Sequence, residues 1–146
     1  MKALVQRILF SKVVVEDRVV SSTGKGVLVF LGVSKTDTEK EAQYLAAKAV
    51  SLRIFEDTAG KMNLSLGDVG GAAMVVSQFT LMADTGSGNR PGFSQAAEPD
   101  QAELLYEAFA ARMSNLGIPV QTGRFGVDMK VELVNDGPVT ILLESK

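Results

Sequence analysis

Hydrophobic residues follow one another along this chain in short runs of strand length, separated by polar turns, and in two longer stretches of helical spacing. Residues 3–10 are apolar with two polar interruptions and predict a strand. The valines at 13–15 and 19–20 flank a charged turn, Glu16-Asp17-Arg18, and predict a hairpin. The run 26–33 has no polar side chain, so it predicts a strand that is covered on both faces.

Two helices are predicted from apolar residues at helical spacing. The first spans about 42–53, and both Thr36 and Thr38 precede it with a glutamate three residues later, the capping-box pattern of a helix start. Pro99 predicts the first turn of the second helix, which we expect to end at Gly117. The buried stripe of this second helix is predicted to comprise Leu104, Leu105, Ala108, Phe109 and Met113.

The remaining apolar runs complete the prediction of the fold. They indicate strands at 72–79, 120–125, 129–134 and 139–144, with a short strand near 52–55. Two helices against seven or so strands, many in hairpin order, indicate a mixed α/β fold. We therefore expect one compact domain over 1–146, with a curved, barrel-like, mostly antiparallel or mixed sheet and two main helices packed on it.

The segment 83–97 is rich in Gly, Ser, Asn and Pro and predicts no regular structure. Structureless loops of this length are uncommon inside compact domains and tend to be functional. The alternative is a disordered surface loop.

Composition removes several classes of chemistry. Of the 146 residues, 46% are hydrophobic and 22% are charged, as in a globular chain. No apolar run approaches the roughly 18 residues of a membrane span, and the N-terminus lacks a signal-peptide layout, so a cytoplasmic protein is expected. Without histidine or cysteine there is no Ser-His-Asp relay, thiolate nucleophile or imidazole-bound metal. The net charge of −2 gives no general basic field for nucleic acid, DNA included, although the 15 Lys and Arg residues leave a local basic groove possible.

Polar residues end the strand predicted at 72–79. Ser77, Gln78 and Thr80 come together there, and strand ends that open into a pocket are common binding sites. An ordinary strand terminus explains this segment equally well. Thr80 is a candidate nucleophile, but its hydroxyl needs a base, and none is adjacent in sequence.

A second unusual segment, Asn135-Asp136-Gly137-Pro138, interrupts the two last apolar runs. Glycine adopts backbone angles closed to other residues, and the X–Pro bond is the one peptide bond for which cis costs little. The pair Gly137-Pro138 can therefore present bare main-chain groups to whatever lies opposite. The simpler interpretation is a turn between two strands.

The two segments together resemble the motif pair of the D-aminoacyl-tRNA deacylases. Ser-Gln-Phe-Thr-Leu at 77–81 is similar to one motif, and Asn-Asp-Gly-Pro-Val-Thr at 135–140 to the other. Further similar segments occur in the same order, so that the resemblance covers about 1–143. They are Ala-Leu-Val-Gln-Arg at 3–7, Gly-Lys-Met-Asn-Leu at 60–64, Arg-Pro-Gly-Phe-Ser at 90–94 and Gln-Thr-Gly-Arg-Phe at 121–125.

This resemblance implies an enzyme without a cofactor or metal that hydrolyses the ester between a D-amino acid, or glycine, and the terminal adenosine of tRNA. It also implies a homodimer in which a Gly–cis-Pro pair, here Gly137 and Pro138, enters the partner's site and excludes L side chains. Arg7 would hold that pair in place. The implied pocket residues are Ser77, Gln78, Phe79 and Thr80, with the Phe79 amide near the scissile carbonyl, and Phe125 and Met129 would pack the adenine.

The resemblance leaves some points open. Gly92 stands where serine is frequent in the family, which puts hydrogen bonding by that loop in doubt. Contacts to the tRNA body would be sought among Lys2, Arg90, Arg112, Arg124 and Lys130. The rival hypotheses are a non-catalytic module that binds RNA ends or small amino-acid-like ligands, a deacylase with a trans Gly–Pro bond, and a structural homo-oligomer.

Overall fold

A computed structural model describes residues 1–146, which form eight strands, two α-helices and one 3₁₀ turn. In chain order these are β1 (Lys2–Val15), β2 (Arg18–Thr23), β3 (Gly26–Gly32), α1 (Glu39–Ser51), β4 (Phe55–Glu56), β5 (Met62–Leu64), β6 (Ala72–Ser77), the 3₁₀ turn (Phe79–Met82), α2 (Pro99–Asn115), β7 (Val120–Thr122) and β8 (Lys130–Glu144). None of the helices is both long and apolar enough to cross a bilayer.

The main sheet is mixed and is organised around β1. One edge of β1 pairs antiparallel with β3 and then with β2, while its other edge pairs antiparallel with β8 along most of its length. Beyond β3 the sheet continues through β6 and β7, and both of these pairings are parallel. The predicted curved, barrel-like mixed sheet with two helices is confirmed.

The sheet curls because β1 is irregular at Leu9, where its register with β8 shifts between Ile8 and Phe10. A bulge of this kind bends a strand and increases its twist. Beyond it, Val13 and Val15 join Ile8 in a second apolar cluster, while Ala3 and Val5 belong to the main core. The turn at Glu16 and Asp17 has φ values of 49° and 62°, the left-handed geometry of a tight hairpin.

β3 is covered on both faces, as predicted. Val27 and Val29 lie in the main core under the helices, whereas Leu28 lies in the second cluster together with Met74 and Val76 of β6. The carboxyl end of β6 is therefore held firmly between two apolar layers, and it is this end that carries the polar residues of interest.

Both helices begin and end where local chemistry requires. Thr38, and not Thr36, is the N-cap of α1, and its reciprocal bonds with Glu41 complete a capping box. The hydrogen bond from the Thr38 hydroxyl lowers the pKa of the Glu41 carboxyl. α2 begins at Pro99 and ends before Gly117, whose φ of +91° suits glycine. The N–H of Ile118 then donates to the Met113 carbonyl at 3.3 Å, as in a Schellman motif.

One part of the α2 prediction is wrong. Leu104 is 66% exposed, whereas Ala102 and Tyr106 are buried beside Leu105 and Phe109. The buried face of α2 is rotated around the helix axis relative to the predicted stripe. It includes Tyr106, which the predicted stripe left out, and it excludes Leu104.

Candidate active site

The Gly137-Pro138 pair lies at the tip of a bulge within β8. Asn135 pairs with Ile8 and Thr140 with Gln6, so that the four residues 136–139 stand opposite the single residue Arg7. Gly137 and Pro138 are exposed, and the peptide bond between them is cis. The simpler interpretation, a turn that reverses the chain, does not hold, although residues 130–134 and 139–144 are strand as predicted. Both halves of β8 pair with β1 in the same direction, so the chain loops outward without reversing.

Arg7 fastens this bulge from below. Its side chain is 9% exposed, its Nε donates to the Asp136 carbonyl at 3.2 Å, and the same Nε lies 3.1 Å from the Asp136 carboxylate. The Nη1 of Arg7 donates to the Ile54 carbonyl at 2.6 Å. One buried guanidinium therefore ties the residue before Gly137 to the segment that leads into β4.

Asn135 closes the base of the same bulge. Its Nδ2 donates to the Arg7 carbonyl at 2.9 Å and to the Val139 carbonyl at 3.0 Å. The two ends of the four-residue loop are thus joined through one side-chain amide. Sequence reasoning missed the supporting roles of Asn135 and Asp136, although both lie inside the motif that drew attention to Gly137.

A groove of about 490 Å³ runs beside the bulge, with Gly137 and Pro138 on one side and Arg53 and Met62 on the other. The far wall is fixed because Arg53 donates from Nε to the Asn63 carbonyl at 3.0 Å and also bonds the Asn63 side chain. Asn63 in turn donates to Asp57 at 3.2 Å. Hydrogen bonds from main-chain N–H groups, first that of Lys61, lower the pKa of the Asp57 carboxyl.

The second motif lies at the carboxyl end of β6. Ser77 is the last strand residue, and the Gln78 N–H continues the sheet by donating to the Leu31 carbonyl at 2.8 Å. The strand predicted to reach Phe79 ends two residues earlier, because the Leu81 N–H bonds back to the Gln78 carbonyl at 3.2 Å and starts a 3₁₀ turn. The Gln78 side-chain amide donates to the Thr80 hydroxyl, so these two polar groups satisfy each other.

Phe125 and Met129 follow β7 beside this strand end. β6 and β7 are parallel with Val75 opposite Thr122, so their carboxyl ends lie side by side. The ring of Phe125 packs on that of Tyr106 with centroids 5.9 Å apart. The sulfur of Met129 accepts a hydrogen bond from the Arg124 N–H at 3.4 Å. Strand β7 ends at Thr122, earlier than the predicted 125, which leaves Phe125 in the loop.

The loop 83–97 is not structureless, contrary to the prediction. Asp84 and Gly92 exchange two main-chain hydrogen bonds of 2.8 Å, and the Lys35 N–H donates to the Gln95 carbonyl at 3.0 Å. Gly92 therefore holds the loop through its main-chain groups. These hydrogen bonds do not need the serine side chain whose absence had put hydrogen bonding by this loop in doubt.

The structure brings the 77–80 segment close to Phe125 and Met129 but leaves it far from Gly137-Pro138. Ser77 lies opposite Leu31 and Leu31 opposite Ala3, whereas the bulge lies opposite Arg7. The two segments are thus separated by three strand spacings across the sheet, from β6 through β3 and β1 to β8, and by four residues along the strands. At the usual strand spacing and rise, this separation is about 20 Å along the sheet.

Two solved structures have this architecture. The c-Myc DNA Unwinding Element Binding Protein superposes with a TM-score of 0.95 at 41% identity, covering 100% of this chain and 99% of that one. A protein described as a probable eukaryotic D-amino acid tRNA deacylase superposes with a TM-score of 0.85 over 97% of each chain, and its 18% identity shows the fold alone. The fold class is therefore the one that these proteins share.

The sequence comparisons narrow that class to a family. The family described as D-Tyr-tRNA(Tyr) deacylase matches residues 4–144. A D-aminoacyl-tRNA deacylase of Ruegeria pomeroyi is 59% identical over 99% of both chains, and one of Anaeromyxobacter dehalogenans is 55% identical over 100% of this chain and 98% of its own. The chain belongs to the D-Tyr-tRNA(Tyr) deacylase family, and the resemblance stated from the sequence is confirmed.

Proposed function

We propose that this protein hydrolyses the ester between a D-amino acid, or glycine, and the terminal adenosine of tRNA. The observation that supports this most is the exposed main-chain bulge at Gly137-Pro138 in a chain that has no histidine or cysteine. An aminoacyl ester is an activated bond, so positioning and main-chain donors can supply much of the required rate. Two relatives of this chain carry the name D-aminoacyl-tRNA deacylase, which supports the deacylation of D-aminoacyl-tRNA.

The active form is a homodimer in this proposal. Within one chain the Gly137-Pro138 pair is about 20 Å along the sheet from the 77–80 segment, which is too far for both to touch one aminoacyl group. A second copy can place its own bulge over the strand end. A chain that remains monomeric at working concentration in light scattering and still discriminates D from L would contradict this arrangement.

Selectivity comes from main-chain groups that face the α-carbon of the substrate. An L side chain would collide with the Gly137 and Pro138 carbonyls, whereas the hydrogen of a D residue or of glycine fits. Such a filter works by excluding the wrong hand, so it must be rigid. The bonds from Arg7 and Asn135 supply that rigidity.

Catalysis is assigned to the strand end. Phe79 is the first residue of a 3₁₀ turn, and the first N–H groups of a helical turn have no partner within it. The Phe79 N–H is therefore suited to stabilise negative charge on the scissile carbonyl oxygen. Ser77 and Gln78 line the pocket, the ribose 2′-hydroxyl assists the attack, and Phe125 and Met129 pack the adenine.

Thr80 is assigned to the pocket and not to nucleophilic attack. Its hydroxyl accepts from the Gln78 amide, which cannot remove a proton, and no ionisable side chain bonds it. We expect Thr80→Ser to retain most deacylation and Thr80→Ala to retain a measurable fraction. Complete loss of deacylation in both variants, with binding of the tRNA end unchanged, would instead favour Thr80 as the nucleophile.

The decisive experiment compares D-tyrosyl-tRNA with L-tyrosyl-tRNA and follows loss of the ester. We expect rapid loss of the D ester and little loss of the L ester. Equal rates would contradict the main-chain filter and favour an open pocket. Binding without loss of either ester would identify a non-catalytic module.

A further inference from the structure

An exposed aromatic pair lies directly beside the strand end. The rings of Phe79 and Phe93 meet edge to face, with centroids 5.0 Å apart and an interplanar angle of 64°. They are 55% and 37% exposed, which is unusual for two large apolar rings in contact. Exposed aromatic faces next to a nucleic-acid site are the typical platform on which unpaired bases stack.

The position of Phe93 is fixed by main-chain hydrogen bonds on both sides. Gly92, the preceding residue, is paired with Asp84 by two bonds of 2.8 Å. The Phe93 carbonyl accepts from the Ala96 N–H at 3.0 Å. The main chain of Phe93 is therefore ordered before a ligand arrives, so that only its side-chain torsions remain to be fixed when a base stacks on the ring.

The charges around this pair suit a phosphodiester. Arg90, three residues before Phe93, and Lys35, which bonds the loop through its main chain, are both exposed. Neither has a carboxylate within 4.0 Å. The one carboxylate of the loop, Asp84, accepts a bond from the Gly86 N–H at 2.8 Å.

We propose that Phe93 and Arg90 bind the nucleotide immediately before the terminal adenosine of tRNA, with its base stacked on Phe93 and its phosphate near Arg90. This inference rests on the proposed function, which places the ester at the Phe79 amide. The Phe93 ring centroid lies 5.0 Å from that of Phe79, so a base stacked on Phe93 would lie beside the pocket assigned to the ester. Only an unpaired strand exposes the base faces that such stacking needs.

The test uses two substrates, full-length D-tyrosyl-tRNA and D-tyrosyl-adenosine, which lacks every nucleotide before the adenosine. We expect Phe93→Leu to raise KM for the tRNA about tenfold relative to KM for D-tyrosyl-adenosine. Phe93→Trp should restore the ratio. Arg90→Ala should lower the slope of log KM against log salt by about one for the tRNA.

Matched controls lie on α1, away from the site. Tyr44 is an exposed aromatic residue and Lys48 an exposed cation, so Tyr44→Leu and Lys48→Ala should leave the KM ratio at its wild-type value. Equal increases in KM on both substrates in Phe93→Leu would show that the ring only supports Phe79 and would overturn the proposal. An unchanged ratio in both Phe93→Leu and Arg90→Ala would overturn it as well.

Failure of the underlying function has a different signature. A wild-type protein that hydrolyses neither substrate contradicts the deacylase and, with it, this nucleotide site. A wild-type protein that hydrolyses both, with variants that never separate the two substrates, leaves the deacylase standing and removes only the nucleotide site.

Discussion

The bulge of β8 and the carboxyl end of β6 carry the two motifs of the family, and they are built in opposite ways. The bulge exposes main chain at Gly137 and Pro138 and is fastened by Arg7 and Asn135. The strand end exposes side chains, and its amide and hydroxyl, those of Gln78 and Thr80, bond only each other. A surface that excludes needs rigid supports, whereas a pocket that binds can keep its groups adjustable.

This contrast predicts that substitutions below the bulge change both stability and selectivity, while substitutions at the strand end change the rate alone.

Arg7→Ala should have the largest effect. It removes a buried guanidinium and leaves the Ile54 and Asp136 carbonyls without their donor, which we expect to lower the free energy of unfolding by about 3 kcal/mol. The ratio of D- to L-tyrosyl-tRNA hydrolysis should fall towards one. Urea unfolding and paired deacylation assays measure the two effects. Lys12→Ala is the matched control, because Lys12 pairs with exposed Glu132 on the same two strands and should cost below about 1 kcal/mol.

Asn135→Ala should have the next largest effect. Two main-chain carbonyls lose their shared donor, which we expect to cost about 1–2 kcal/mol of stability and to reduce the D/L ratio. Hydrolysis of the glycyl ester, which needs no exclusion of a side chain, should change least. Asn115→Ala, at the exposed end of α2, serves as the control. If Asn135→Ala is less stable but keeps the wild-type D/L ratio, Asn135 supports the fold and does not support the selectivity of the filter.

Gln78→Ala should lower the rate of deacylation without a comparable loss of stability. The substitution leaves Thr80 without its partner, so we expect deacylation of the D ester to fall about 10- to 100-fold through loss of positioning. The midpoint of thermal unfolding should stay near the wild-type value because Gln78 is not in the buried core. A large loss of stability would show that the hydrogen bond between Gln78 and Thr80 supports the fold, as the hydrogen bonds of Arg7 do.

Tyr106→Phe should have the smallest effect at neutral pH. The Tyr106 hydroxyl donates to the Val75 carbonyl at 3.0 Å, two residues before Ser77, and its loss should cost about 1 kcal/mol. Burial raises the pKa of Tyr106 above its ordinary value of 10.0, so the unfolded chain loses this proton first. The stability from the neutral hydroxyl is present below pH 10 and is lost as pH rises through the folded pKa. The variant should therefore show a shallower loss of stability above pH 10 in alkaline unfolding.

Much of the fold follows from local sequence, and the failures share a cause. The capping box at Thr38, the end of α2 at Gly117 and the doubly covered β3 depend on neighbouring residues and were predicted. From the local sequence alone a turn was the simpler interpretation of the bulge, because the geometry of the bulge depends on Arg7, more than a hundred residues away, and on two strand halves that share one partner. The loop that contains Gly92 also depends on a distant residue, because its Gln95 carbonyl accepts a hydrogen bond from Lys35, far earlier in the chain.

The residues of the candidate site were proposed from the sequence, whereas their positions within one chain come from the structure. Motif similarity pointed to Gly137 and to 77–80 together, yet no periodicity reveals that they lie three strands apart in one chain. Asn135 escaped notice because an asparagine before an Asp-Gly pair looks like turn chemistry. Only the register of β8 against β1 shows it joining the two ends of the bulge.

Under the proposed function, the tip of the bulge has a property that no side-chain filter shares. Peptide carbonyls do not titrate, oxidise or accept phosphate, so the recognition of chirality would be indifferent to cellular pH, redox state and kinase activity. They are also identical for every residue type, so a point mutation alters the tip directly only by replacing Gly137, which would add a side chain, or Pro138. Elsewhere, inherited variation in fidelity would have to arise in the supports, where Arg7 and Asn135 stand.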